Sequence, residues 1–293
     1  MKKLKAIWQL MRLEHGVMIA VAILVGALIA GKTLPSIKIF ILTFLMALFL
    51  EGSTFALNDY YDLEIDKKNK RNDRPLVRGD VPPKTALFLF IILFPLGIIF
   101  SYFINQTCFI IAIITAIFAV IYDAYLKKIK LLGNFFIAYV MAIPFIFGGV
   151  SVIENKAVFV DLPPAIMIVA LIAFLAGSGR EIMKDVMDFE GDKKKGVKSF
   201  PKYLGIHRSN VLSSIFYILA IILSFFPFLF NNFVFYYQNY YYFAFILLTD
   251  SMLIFTSFQL LFKNNTNMKF HRNLTLIALF VGLIAFLIGA FTS

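Results

Sequence analysis

Two sets of carboxylates carry the chemistry that can be read from this chain. Asp59, Asp62 and Asp66 follow one another at i, i+3 and i+7, and so do Asp185, Asp188 and Asp192. On a helix turning about 100° per residue, each trio falls within an arc of about 60°. Asn58 and Glu51 extend the first stripe and Glu181 the second, whereas Glu64 and Glu190 point to the opposite sides of their helices. Carboxylates stacked one turn apart repel, so each stripe needs a cation. Oxygen ligands with no Cys or His cluster select a hard ion. Mg²⁺ keeps its waters and combines a few carboxylates with phosphate oxygens, which suits a bound diphosphate. The alternative, that both stripes are wet helix ends paired with nearby Lys and Arg, explains acids beside bases but not the same spacing twice.

The spacing recurs inside a longer repeat. At an offset of 126 residues the two Asp trios coincide, Lys67 and Lys68 fall on Lys193 and Lys194, Pro75 on Pro201, and Gly79 on Gly205. The matched residues are all polar or conformationally special, so the offset marks a duplication. Both segments follow spans that run in the same direction, which predicts parallel repeats whose stripes face each other across a cavity.

The elements that position the stripes are membrane spans. With 60% hydrophobic and 15% charged residues, the chain is too apolar for a soluble domain of its length. A span needs roughly 20 apolar residues, and nine stretches qualify, near 15–33, 36–57, 85–104, 107–126, 133–153, 162–180, 209–230, 240–262 and 271–291. If the N-terminus is inside, only Lys32, Lys38 and Lys156 of the 28 basic residues fall on the outer face. That asymmetry supports both the span count and the orientation. The net charge of +11 is thus a topology signal and gives no reason to expect nucleic acid. The basic N-terminus leads into a long apolar segment without a small-residue cleavage site, which reads as an interfacial amphipathic helix over 1–14.

The expected fold is an all-α polytopic membrane protein with a single membrane domain over 1–293. Nine transmembrane helices surround a central cavity, the Asp motifs follow helices 2 and 6, and segments 58–84 and 181–208 form a cytoplasmic cap. Cys108 is the single cysteine, so no intramolecular disulfide or thiolate cluster is available. His15, His207 and His271 are scattered and read as interfacial residues. The run NNFVFYYQNYYY at 231–242 reads as an outer aromatic belt. Asp250, in the eighth span, is an intramembrane ionisable residue with no motif around it.

The run NDYYDLEID at 58–66 resembles the NDxxDxxxD motif of the UbiA family of intramembrane prenyltransferases, and NDRPLVRG at 72–79 resembles the segment that follows it. DVMDFEGDKKKG at 185–196 is similar to the family's second Asp motif, and YDAYLKKIKLLGN at 122–134 to a third segment, with a Tyr and a Lys before Gly-Asn. The pieces stand in family order over nearly the whole chain. The resemblance implies that Asn58, Asp62 and Asp66 bind one Mg²⁺ with Asp59 in support. It implies that Asp188 and Asp192 bind the other, with Asp185 adjacent. Lys127 and Tyr122 would contact the diphosphate or the nascent cation, and Arg74 and Arg71 would neutralise phosphate.

Within the family, GREIMKDVMDFEGD at 179–192 is most similar to the archaeal digeranylgeranylglyceryl phosphate synthases. That implies geranylgeranyl diphosphate as donor and the hydroxyl of geranylgeranylglyceryl phosphate as acceptor, in a cell membrane with the active-site mouth cytoplasmic and no obligate protein partner. Family members acting on benzoate-type acceptors often carry a basic residue about two turns before the first motif, where this chain has Glu51. A carboxylate there favours an alcohol, whose proton it or the released diphosphate could accept. Pairing with a nearby Lys or Arg is the plainer role. The acceptor's phosphate needs cations of its own, and Arg180, Lys184 and Lys198 are at hand, Arg180 foremost because it binds phosphate bidentately. The alternatives are a family member with a quinone-type aromatic acceptor and, more distantly, a secondary transporter. A transporter site should lie near the bilayer midplane, whereas these stripes begin where a span of about 33 Å ends.

Overall fold

The computed structural model describes residues 2–68, 70–153, 161–194, 196–263 and 266–292. In chain order these form α1 (Lys2–Met11), α2 (Leu13–Gly31), α3 (Ile37–Lys68), α4 (Pro75–Arg78), α5 (Pro83–Tyr102), α6 (Gln106–Ala124), a 3₁₀ turn (Leu126–Lys128), α7 (Lys130–Val152), α8 (Pro164–Lys194), α9 (Phe200–Leu204), α10 (Ile206–Ser224), α11 (Phe226–Leu229), α12 (Tyr240–Phe262) and α13 (Met268–Phe291). Among the described residues there is no strand, and nine helical stretches are long and apolar enough to cross a membrane. The chain is therefore an all-α, multi-pass membrane protein, as its composition predicts. Lys156, assigned to the outer face on charge, lies outside the described residues.

Neighbouring spans pack in the order α2, α3, α5, α6, α7, α8, α10, α12, α13, and α13 returns onto α2 to close the ring. Inside it α2 also packs along α7. Glycine allows that approach: a Cβ on Gly26 would fall on the Phe145 carbonyl oxygen, and one on Gly148 on the Ile23 carbonyl oxygen. Small residues are how membrane helices bring backbones together when lipid offers no hydrophobic drive. Gly148→Val is expected to cost about 3 kcal/mol or more, read as a lowered unfolding temperature in detergent. An unchanged unfolding temperature would mean that the two helices are not held this closely.

The motif segments are more helical than the expected cap. α3 runs to Lys68 and α8 to Lys194, so both Asp trios ride on the last turns of span helices and not in the loops of 58–84 and 181–208. No Gly or Pro interrupts 53–68, and the acids keep one helical face, so nothing ends α3 where its apolar part ends. A long helix, a short helix starting beside a proline and a further span recur in α3–α4–α5 and α8–α9–α10.

Two other expectations are corrected. The helix predicted over 1–14 stops at Met11, and Arg12 takes a left-handed conformation before α2 begins. Ala6 and Leu10 of α1 are buried with Ala56, Leu63, Leu76 and Val81, while Leu4 and Trp8 face outward. One face of this helix therefore packs on protein. The aromatic run at 231–242 also divides. Tyr236 and Tyr242 are fully buried against Phe286, donating to the carbonyls of Phe286 (3.1 Å) and Ser224 (2.7 Å). Tyr237, Tyr240 and Tyr241 stay exposed. A tyrosine whose hydroxyl finds a partner can be buried as well as an apolar residue. His271 is likewise buried, beside the Thr256 hydroxyl at 3.1 Å.

Candidate active site

The two stripes meet through the segment that joins α6 to α7. On the first side, Asp123 accepts a 2.6 Å hydrogen bond from Asn58 Nδ2, and Lys127 Nζ pairs with Asp62. On the second, Lys130 Nζ lies 3.3 Å from Asp185, 4.0 Å from Asp188 and 2.7 Å from Asp192, and Asn134 Nδ2 donates to Asp185 at 2.8 Å. A stretch of twelve residues, 123–134, thus places one lysine on each stripe. Its fold suits the task, since the 3₁₀ turn reverses the chain between two spans, and Gly133 lets α7 start close to Tyr122, whose ring a Cβ there would meet at 3.1 Å.

Within each stripe the carboxylates divide by exposure. The side chains of Asp59 and Asp185 are each 2% exposed, those of Asp62 and Asp188 27% and 47%. Asp59 Oδ1 accepts from both Arg12 (2.7 Å) and Arg74 (2.9 Å). Asp66 lies 3.8 Å from Arg74. Glu64, on the far face, pairs with Lys67, and Glu190 is exposed, as their helical phase predicts.

The remaining predicted residues fall in three places. Arg180 and Glu181 are buried, with Arg180 Nη1 3.3 Å from Glu181 and Lys184 donating to both Glu181 oxygens at 2.9 and 2.7 Å. Arg180 Nε is buried with no hydrogen-bond partner. Glu51 lines an apolar cleft with Ile19, Ile23, Met46, Ala47 and Leu50. It stands seven residues before Asn58, about 10 Å along the helix axis. Lys198 is not gathered into the site, and Arg71 stands at its edge, its backbone N–H donating to the Asp66 carbonyl at 3.0 Å. Arg71 makes two hydrogen bonds to Asp73, of 2.9 and 2.8 Å, which hold that exposed carboxyl below its usual range. The Lys198 side chain is exposed, while its backbone bonds to Lys128 and Leu131. Asp250 lies away from the stripes, accepting from the Ser224 hydroxyl at 2.7 Å.

Sequence reasoning missed Arg12, Asp123, Lys130 and Asn134 as partners of the stripes. In the sequence Arg12 and Lys130 look like positive-inside charges, and Asp123, Lys130 and Asn134 all lie in the 122–134 segment with no spacing that singles them out. One signal was available: Asp123 and Asn134 are polar residues inside otherwise apolar span ends, and each is buried.

The donor set fits Mg²⁺. Asn58 uses its amide nitrogen on Asp123, which turns its oxygen the other way, and Asp62, Asp66, Asp188 and Asp192 add hard oxygens. Among the described residues no group of three or more acidic, His or Cys side chains is arranged to hold a metal ion as it stands; Lys127 and Lys130 occupy the two stripes instead.

Residues 19–284 match the model of the UbiA prenyltransferase family. The chain is 39% identical over 290 residues to a digeranylgeranylglyceryl phosphate synthase from Archaeoglobus fulgidus, covering 98% of this chain and 96% of that one. A solved structure concerned with digeranylgeranylglyceryl phosphate synthase in membranes superposes with a TM-score of 0.78 at 33% identity, covering 100% of both chains. A UbiA homologue from Archaeoglobus fulgidus, bound to GPP and Mg²⁺, shares the fold with a TM-score of 0.58 at 17% identity, covering 96% of this chain and 99% of that one.

Proposed function

Because the chain belongs to the UbiA prenyltransferase family and is a multi-pass membrane enzyme of prenyl transfer, we propose that it joins geranylgeranyl diphosphate to the free hydroxyl of geranylgeranylglyceryl phosphate, with Mg²⁺ as cofactor. The observation that carries this reading is the pair of carboxylate stripes, each with a resident lysine, with the buried Arg180 on the same helix as the second. The similarity to digeranylgeranylglyceryl phosphate synthases over nearly the full chain supports the choice of acceptor.

In this account Asn58, Asp62 and Asp66 would hold one Mg²⁺, and Asp188 and Asp192 the other, with Asp59 and Asp185 behind them. Bound there, Mg²⁺ would supply positive charge to the diphosphate oxygens. Lys127, Lys130 and Arg74 leave or share their carboxylates to face the same oxygens, and Tyr122 flanks the reacting carbon. The apolar cleft above the stripes takes the prenyl tail and keeps water from the allyl cation. The C1–O bond gives its electron pair to the departing diphosphate, the acceptor hydroxyl oxygen forms the new ether bond to C1, and its proton is released. The rise of about 10 Å from Asn58 to Glu51 makes the departing diphosphate the nearer proton acceptor, with Glu51 better placed to contact the acceptor or the tail. Arg180, with Lys184, binds the acceptor's phosphate. The excess of basic residues about the stripes supports a cytoplasmic mouth for the site.

Purified protein incubated with geranylgeranyl diphosphate and a mixture of geranylgeranylglyceryl phosphate and a hydroxybenzoate tests this reading by mass spectrometry of the lipids. The expected product is the doubly alkylated glyceryl phosphate. A prenylated aromatic acid as the main product would overturn the acceptor assignment. Arg180→Ala is expected to raise KM for the phosphate-bearing acceptor by about 10- to 100-fold with the donor KM little changed. An unchanged acceptor KM would remove Arg180 from the site.

A further inference from the structure

The N-terminal arm supplies the first stripe with a residue outside every motif. Arg12 joins α1 to α2 at φ 45° and ψ 53°, a conformation that L side chains other than Asn and Asp seldom adopt. Its guanidinium carbon lies 4.2 Å from the Phe55 ring centroid, and Nη2 donates to Asp59 Oδ1 at 2.7 Å. The arm is held there independently of that bond. Ala6 and Leu10 are buried against α3 and α4, Arg78 donates to Gln9 at 2.7 Å, and Met11 lies so close to Gly52 that a Cβ there would meet Met11 Cε at 2.7 Å.

Asp59 differs from the acids that follow it. Both Arg12 and Arg74 use its Oδ1, and its Oδ2 is sealed from solvent without a hydrogen bond, so neither oxygen is presented to a ligand. Two guanidinium groups on one carboxylate leave a net positive charge behind Asp62 and Asp66, where it offsets the repulsion within the stripe.

We propose that Arg12, set in place by the packed α1 arm, is a positioning residue of the reaction and that Asp59 is its anchor rather than a metal ligand, the pair holding Arg74, Asp62 and Asp66 in register for the metal–diphosphate centre. This rests on the two-metal reading above. It assigns the arm a place in the active site and separates the roles of three acids that sequence spacing treats alike.

The test uses the full chain in lipid nanodiscs, with Mn²⁺ counted by electron paramagnetic resonance in the presence of a thio-diphosphate donor analogue that does not ionise, beside steady-state kinetics with Mg²⁺. Asp62→Asn is the control for the metal reading: if it binds as much Mn²⁺ as the parent protein, that reading fails, whatever Arg12 does. Asp59→Asn is expected to retain its Mn²⁺ while kcat/KM falls about 10- to 100-fold. Arg12→Met is expected to lose a similar amount, and Arg12→Lys to recover most of it. The double variant Arg12→Met/Asp59→Asn is expected to be no worse than either single variant, because both remove one interaction. Loss of Mn²⁺ from Asp59→Asn to the extent seen in Asp62→Asn overturns the anchor. Full activity in Arg12→Met, or losses that multiply in the double variant, overturns the positioning role.

Discussion

Asp62→Ala and Asp188→Ala are each expected to lower kcat by about 10³-fold or more, with the proteins still folded. Both acids lie at the open middle of their stripes, one on α3 and one on α8, and neither is a packing residue. Each removes an oxygen from one side of the charge that grows as the allylic bond breaks, so the loss should appear in kcat and kcat/KM together. Glu64→Ala and Glu190→Ala, from the same helices but the opposite faces, should stay within about twofold of the parent enzyme, as surface changes do. Steady-state rates for the four variants decide the point. Full activity in either Asp variant would sink the two-metal assignment, and a large loss in either Glu variant would show that helical phase had misassigned the site.

Chelation with EDTA is expected to take turnover to background and readdition of Mg²⁺ to restore it, while the unfolding temperature stays almost unchanged. The second half comes from the structure. Arg12, Arg74 and Lys127 pair with the first stripe and Lys130 with the second, so the acids are not left to repel one another when no ion is bound. A site whose fold depends on metal would behave differently, since binding energy would then be folding energy. Turnover that survives chelation would remove Mg²⁺ from the account. A large fall in unfolding temperature would show that the resident cations do not hold the stripes.

Most of the fold was legible in the sequence because the bilayer leaves few choices: apolar runs of the right length must be spanning helices, and their charges order the loops. Both stripes were legible too, since i, i+3, i+7 spacing is a property of one helix and needs no knowledge of neighbours. What spacing could not give was the pairing between helices. Lys130 and Arg12 look like any other basic residue at a span end, and only the fold shows that one reaches three acids of α8 while the other crosses to Asp59. Arg71 shows the converse, a motif residue whose nearest partner is the exposed Asp73. The limits of α3 were misjudged because hydropathy falls before the helix ends. Burial of Tyr236 and Tyr242 was hidden because an aromatic belt and an aromatic core have the same composition.

The most direct test of the central claim is a crystallographic one in lipid, with Mn²⁺ and an unreactive thio-diphosphate donor analogue, in which anomalous scattering locates the metal. Two Mn²⁺ peaks are expected across one diphosphate, the first against Asp62 and Asp66 and the second against Asp188 and Asp192, with Asp59 still on Arg12 and Arg74. A diphosphate bound by basic residues alone, or metal found away from both stripes, would contradict it.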